Sequence, residues 1–270
     1  MEEYNSRGEY SSDCSNCFAL CCVALQFQKS QDFPFSKKEG VPCKNLRTDF
    51  GCAIHNQLKA NGFNGCTTYE CFGAGQFISV ELFNGRDWQT DPVSRKQMFQ
   101  LLPVVRNIHE IIYHLRSSMA ITKNKDTDKA CEELIKDLEK IKKDPPAILA
   151  GFDIMPYRII SSRIFMEVSA AYRDNKAKYD FEPYGDWSGQ NHASRDFSYQ
   201  NFRGFLFIEM DLKDANLQFC DFLGTDMRNA DISGADLRNS IFLTQSQINA
   251  AKGNAYTRIP DGLNVPAHWE

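Results

Sequence analysis

Three rhythms of apolar and polar residues divide this 270-residue chain. Over residues 1–90 no period holds. Short apolar pieces alternate with turn signals: Lys38 to Pro42, Asn61 to Gly65, Gly73 to Gly75 and Asn84-Gly85. From residue 91 the apolar spacing becomes three and four. Met98, Leu101, Leu102, Val105, Ile108, Ile112, Leu115 and Met119 predict an amphipathic helix of about 25 residues, with Asp91 as N-cap and Pro92 in the first turn. Asn124 to Asp126 interrupts it. Asp128 is placed to cap a second helix with Cys131, Leu134, Leu138 and Ile141 on its apolar face, stopped by Asp144-Pro145-Pro146. A third helix begins near Pro156, with Ile160, Ile164, Val168 and Tyr172 on one side.

The third rhythm is a strict period of five. Trp187, then, after His192, Phe197, Phe202, Phe207, Leu212, Leu217, Phe222, Met227, Ile232, Leu237 and Phe242 recur without a slip across 12 units. Asp or Asn precedes that residue at positions 186, 191, 196, 201, 211, 216, 221, 226, 231 and 236, and small residues stand two before it from Ala215 onward. Neither the helical nor the strand period explains this. A four-sided coil with one pentapeptide per face does, its large and small residues pointing inward and successive coils bonded like stacked strands.

Cysteine usage changes the picture of the first segment. Eight of the ten cysteines lie at or before position 71: Cys14, Cys17, Cys21, Cys22, Cys43, Cys52, Cys66 and Cys71, with His55 three positions after Cys52. The N-terminus is polar and acidic and reads as no signal peptide, so the expected setting is a reducing cytoplasm, where clustered thiols hold metal or do redox chemistry more often than they form disulfides. Eight thiolates exceed the four that one zinc ion or one four-iron cluster needs. Only Cys14 and Cys17 form a knuckle of the zinc-ribbon kind, which favours iron–sulfur over zinc. In an extended chain the adjacent Cys21 and Cys22 point apart, so one of them is expected at a given site. Cys131 and Cys220 read as structural. Gly73-Ala74-Gly75 reads as a tight turn beside the cluster.

Charge excludes more than it suggests. A net charge of −4 offers no basic surface for nucleic acid, and no apolar run is long enough to span a bilayer. No Walker A, dinucleotide or Gly-x-Ser-x-Gly fingerprint is present. His109 and His114 on the long helix do not match the spacing of a metal pair.

Two resemblances follow. The runs ANLQF, ADISG and ADLRNS closely resemble the pentapeptide-repeat family over residues 186–269, which implies a right-handed quadrilateral β-helix, its closing segment similar to LTQSQINAAKG, TRIP and VPAHW. Arg195, Phe205 and Met210 stand where a small residue is usual, and Leu206 replaces Asp or Asn, so an irregular first coil is expected. The spacing C-x2-C-x3-C-C, then PCKNL, CAIH and GCTTYEC, resembles the YkgJ-type cysteine-cluster domain over residues 14–71, which implies a zinc- or iron-chelating module and, as in some members, an iron–sulfur cluster. One residue is inserted in the first block, and His55 stands where that family has tyrosine.

The sequence thus predicts a multidomain α+β protein: a metal-binding module at 1–90 with Cys14, Cys17, Cys21, Cys22, Cys43, Cys52, His55, Cys66 and Cys71 as ligands, a helical region at 91–178, the repeat coil at 179–244 and a cap at 245–270. The cofactor expected is an iron–sulfur cluster, with zinc as alternative. The expected partner is a protein rather than nucleic acid or membrane. Competing expectations are a DNA mimic that engages gyrase, as some pentapeptide-repeat proteins do, and a metal-dependent oxidoreductase or maturation factor. Three coils at about 4.8 Å each would imitate only about four base pairs, and residues 186–243 hold nine acidic against five basic side chains, so the mimic is the weaker of these.

Overall fold

The computed structural model describes residues 9–174, 176–179, 181 and 184–269. The chain divides into two compact units, Met1–Phe165 and Met166–Glu270.

The first unit is organised by one long helix. We number the α-helices α1 (Leu20–Ala24), α2 (Asn64–Thr68), α3 (Ala74–Gln76), α4 (Pro92–Ile121), α5 (Lys125–Ile141), α6 (Pro146–Leu149), α7 (Met155–Arg173) and α8 (Gln245–Ala250). α4 starts as its sequence predicts: the Asp91 carboxylate accepts from the Val93 and Ser94 amides and Pro92 opens the first turn. Its seam, Met98, Leu101, Leu102, Val105, Ile108, Ile112 and Leu115, is fully buried. The buried surface also takes in Ser94, His109, Ile111, His114 and Ser118, because α1, α3 and the π turn Phe77–Leu82 pack against α4 as well as α5 and α6.

α5 is capped by Asn124, whose side chain accepts from the Asp126 amide, and not by Asp128, which lies inside the first turn. Cys131, Leu134 and Leu138 are buried on it. On α7, Ile160 is half exposed, and the buried side runs through Ser161, Ile164, Phe165, Val168 and Ser169. The small serines let the seam turn one position from where large apolar residues alone place it.

The second unit is the coil. Parallel bridges join Asp186 to Leu206, Asn191 to Asp211, Asp196 to Asn216 and so on to Asp221 with Ile241. Each partner lies four pentapeptides further along the chain, so the coil has four sides. Among the described residues these are single-residue bridges, and no longer strand forms. Between bridges the backbone makes a turn of type II kind: the amide of Gln200 donates to the Phe197 carbonyl at 3.2 Å, and the third residue of the turn takes positive φ. That left-handed residue recurs at 11 consecutive repeats, from Gly189 (φ 70°) to Asn239 (φ 61°). Phe202, Phe207, Leu212, Leu217, Phe222, Met227, Ile232 and Leu237 fill the axis with Ala215, Cys220, Ala230 and Ala235.

The ladder is regular from Asp186, contrary to the irregular first coil expected. Phe205 and Met210 simply fill the interior that small residues leave to their partners later on; Phe205 packs edge-on to Trp187 with ring centroids 5.3 Å apart. Beyond Leu243 the chain enters α8 through a capping box, in which Thr244 and Gln247 bond reciprocally. Lys252 and Arg258 then extend the ladder, and Ile259, Leu263 and Trp269 pack on the same core.

Candidate functional site in the cysteine head

Residues 9–90 fold as loops pinned by short helical turns. Cys14 and Cys17 lie in the loop before α1, Cys21 and Cys22 within α1, Cys43 in the following loop, Cys52 in a bridge with Leu46, His55 in a 3-10 turn, Cys66 in α2 and Cys71 just ahead of α3. All eight are thiols without disulfides.

The fold gathers these groups into one neighbourhood. The Cys17 thiol donates to the Cys14 carbonyl at 3.5 Å, and the neighbouring Cys17 and His55 side chains pull the Cys14 thiol down to about 6. The Cys14 side chain, burial and the Cys14 charge push Cys17 well up. Cys21 and Cys22 shift apart likewise: Cys21 is raised by Cys22 and by burial, and Cys22 is lowered by Cys21. Cys66 is pushed up to about 12 by burial, and it feels the charges of Cys22, Cys43, Cys52 and Cys14. Cys71 accepts or donates at 3.0 Å with the Ser12 hydroxyl, which also accepts the Cys71 amide at 3.2 Å. The stretch that carries Cys21 and Cys22 is helical, not extended, so the strand alternation behind their expected divergence does not apply to it.

Several contacts join the cysteine segments. The Cys43 amide donates to the Cys22 carbonyl at 3.0 Å. Gly75 sits so close to Cys17 that a Cβ there would stand 2.8 Å from the Cys17 Cβ. Gly73, at φ 76°, would meet the Glu9 carbonyl at 2.3 Å. The Gly-Ala-Gly segment is therefore a close-packed turn under Cys17.

α4 holds the far end of the head. Arg106 donates to the Glu70 carbonyl at 2.8 Å, and His109 Nδ1 lies 2.7 Å from the Phe72 carbonyl. Burial, then the Lys142 ammonium, depresses His109 to about 4, so it is neutral and bonds as a fastener. Tyr10, four residues before Cys14, donates to Glu139 and accepts from the buried Lys142 at 3.1 Å. Lys37, Tyr10 and Lys142 carried no signal in the sequence, because an isolated Lys or Tyr reads as surface until its burial is seen.

Among the described residues no three His, Cys, Asp or Glu side chains stand in a metal-coordinating arrangement. The chemistry of the donor set nevertheless fits a thiophilic metal: soft sulfur in excess, one imidazole and no nearby disulfide.

In the coil, all ten repeat Asp and Asn side chains accept the amide two residues on, as Asp226 does from Arg228 and Asp236 from Arg238 at 3.1 Å each. Arg228, Arg238 and Lys213 pair with Asp226, Asp236 and Asp231. These acids are turn fasteners, largely neutralised in place.

The family model for pentapeptide repeats matches in eight copies, over residues 196–228 and 207–242. The chain belongs to the same family as YybG of Bacillus subtilis (strain 168), to which it is 37% identical over 270 residues, covering 98% of this chain and 97% of that one. YybG is described as an uncharacterized protein. A crystal structure of a pentapeptide repeat protein from the Arabidopsis thaliana thylakoid lumen is 24% identical and aligns over 31% of this chain and 66% of that chain, with a TM-score of 0.13. No helix among the described residues is long and apolar enough to cross a membrane.

Proposed function

We propose that the head binds a thiophilic metal, as an iron–sulfur cluster or, failing that, zinc, in a protein that acts through contacts with another protein. The observation that carries this reading is that the eight free thiols come from loops tied to one another: Cys17 to the Cys14 carbonyl, the Cys43 amide to the Cys22 carbonyl, Leu46 to both Cys43 and Cys52, and Gly75, four residues after Cys71, packed against Cys17. Cys14, Cys17, Cys21, Cys22, Cys43, Cys52, His55, Cys66 and Cys71 are the donors from which the ligand set is drawn. A bound cluster would supply one-electron transfer, and bound zinc a structural or Lewis-acidic centre. Nine donors without a preset coordination shell suit a head whose last ordering is coupled to the metal. His109 and Arg106 hold the loop around Cys71 against α4, and Ser12 ties Cys71 to the N-terminal segment. The coil supports the second half of the reading: its regular outer faces and neutralised acids suit protein contact better than imitation of a duplex.

The test is elemental analysis for iron, acid-labile sulfide and zinc, with an optical spectrum, on protein purified without oxygen. Metal in proportion to folded protein is expected, and Cys71→Ser is expected to release it. Metal-free protein with native disulfides among the eight cysteines would sink the proposal.

A further inference from the structure

Among the described residues of the head, Lys37 is the one buried cation. It is 6% exposed, and its three N–H groups are all used on carbonyls: Val23 at 3.0 Å, Lys38 at 3.2 Å and Val41 at 2.9 Å. Val23 follows Cys22 and Val41 precedes Cys43 by two residues, and the Cys43 amide bonds to the Cys22 carbonyl. The ammonium is therefore tied into the seam where these two cysteine segments meet. It also lies over the Phe27 ring, 5.6 Å from the centroid.

Among the described residues no carboxylate forms an ion pair with it. Carbonyl dipoles satisfy the hydrogen bonds, but they do not neutralise a full charge removed from water, and buried charges persist where they are paired. The groups whose charge would act on this ammonium are, in order, Cys43, Cys22, Cys21 and then exposed Glu39. Burial pulls its pKa down, and those groups push it back up. Three of the four are cysteines of the candidate site.

We propose that Lys37 is the built-in counter-ion of a thiolate-rich, net-negative metal site that includes Cys22 and Cys43. The proposal rests on the metal reading above and adds to it the charge of the loaded site. A tetrathiolate complex of a divalent metal carries two negative charges, so a fixed buried cation favours it over complexes with more neutral ligands. Lys37 touches the metal in neither case; it is a positioning and charge-balancing residue that acts through the thiolates.

The experiment separates charge from fastening. Full-length wild type, Lys37→Gln, Lys37→Met and Lys37→Arg are stripped of metal under reducing conditions and titrated with Zn(II) against a chromophoric chelator. Co(II) titration runs in parallel, since its sulfur-to-metal charge-transfer band reports bound thiolates. Reconstitution with iron and sulfide provides a third arm, read as reduction potential. Gln keeps N–H donors for the carbonyls but no charge, and Arg keeps the charge. Gln and Met are expected to weaken metal binding about 10- to 100-fold, the usual effect of losing an outer-shell partner. In the cluster arm they are expected to lower the potential, because the reduced state is the more negative. Arg is expected to restore most of both. Gln that binds as tightly as wild type, with an unchanged band and potential, overturns the counter-ion role and leaves the metal reading standing. Arg that fails as Gln does assigns Lys37 to loop fastening alone and overturns it too. Wild type that takes neither zinc, cobalt nor cluster overturns both proposals together.

Discussion

Replacing Leu237 by alanine removes three carbons from the axis of the coil. Leu237 is fully buried in the core that also holds Ile232, Ala235 and Ile248. At about 0.8 kcal/mol per buried methylene, the transfer part alone is about 2.4 kcal/mol. The cavity left behind adds to this, because the surroundings have little freedom to collapse: the Leu237 amide is fixed to the Arg258 carbonyl at 2.7 Å, and its own carbonyl receives the Ser240 amide at 3.1 Å. The expected cost is about 2–5 kcal/mol. Arg238 is one residue on, with half its side chain in solvent and an ion pair to Asp236 at 2.6 Å. Such an exposed pair contributes little, and Arg238→Ala is expected to leave stability nearly unchanged. Urea unfolding of both full-length variants, followed by tryptophan fluorescence and far-ultraviolet circular dichroism, gives the comparison. Equal losses from the two substitutions would refute the register, since it requires Leu237 to face the axis and Arg238 to face solvent.

Other outcomes follow from the same geometry. Glu209 is held at φ 57°, where a side chain costs about 1–2 kcal/mol, so Glu209→Gly is expected to stabilise the coil by about 0.5 kcal/mol after glycine's own entropy; destabilisation in the same urea assay would contradict the turn assignment. Hydrogen bonds from Ser188, Lys178 and Arg238 hold Asp186, Asp196 and Asp236 below the usual carboxylate range. Their stabilisation is complete above the unfolded value near 3.9 and is lost as pH falls through the folded values, so the urea midpoint is expected to be steady from pH 7 to about 5 and to drop below about pH 4. A midpoint that holds to about pH 2.5 would show these bonds to be energetically idle. In a supercoiling assay with purified gyrase, the intact protein is expected to neither inhibit nor protect; potent action abolished by changing Asp226, Asp231 and Asp236 to Asn would restore the DNA-mimic reading.

The coil was legible because its period is carried by side chains of obvious kind: a large apolar residue, an acid or amide before it and a small residue before that. The turn geometry leaves a fainter trace in the sequence, Gly189, Gly204, Gly224 and Gly234, which share one phase of the five. It was obscured where Tyr199, Glu209 and Phe219 occupy the same left-handed position. Tyr199 and Phe219, one lap apart on neighbouring coils, stack at 4.6 Å, a contact that helps offset their strain and has no counterpart in local sequence. In the head, cysteine spacing announced that thiols would matter but not how they meet. The pairing of Cys14 with His55 and the burial of Lys37 both depend on loops folding back from distant parts of the chain, where no periodicity operates. The α7 seam shows a subtler failure. Counting only apolar residues put Ile160 inside, whereas Ser161 and Ser169 take the buried positions.

The four-pentapeptide lap of the coil constrains how such a chain can change length. Inserting one pentapeptide would keep every interior position interior and every turn a turn, yet it would rotate all later residues by a quarter of a lap. The hydroxyl of Tyr172 on α7 donates to the Asn239 carbonyl at 2.8 Å, and Arg173 lies beside the Tyr199 carbonyl at 3.4 Å. Tyr199 and Asn239 are separated by two whole laps, and so stand on one side of the coil under one helix. An added pentapeptide between them would carry Asn239 round the corner, while four added together would return it to the same side one storey higher. Wherever a helix reads one wall of the coil, growth and loss are quantised in laps, although the core alone would accept any multiple of five.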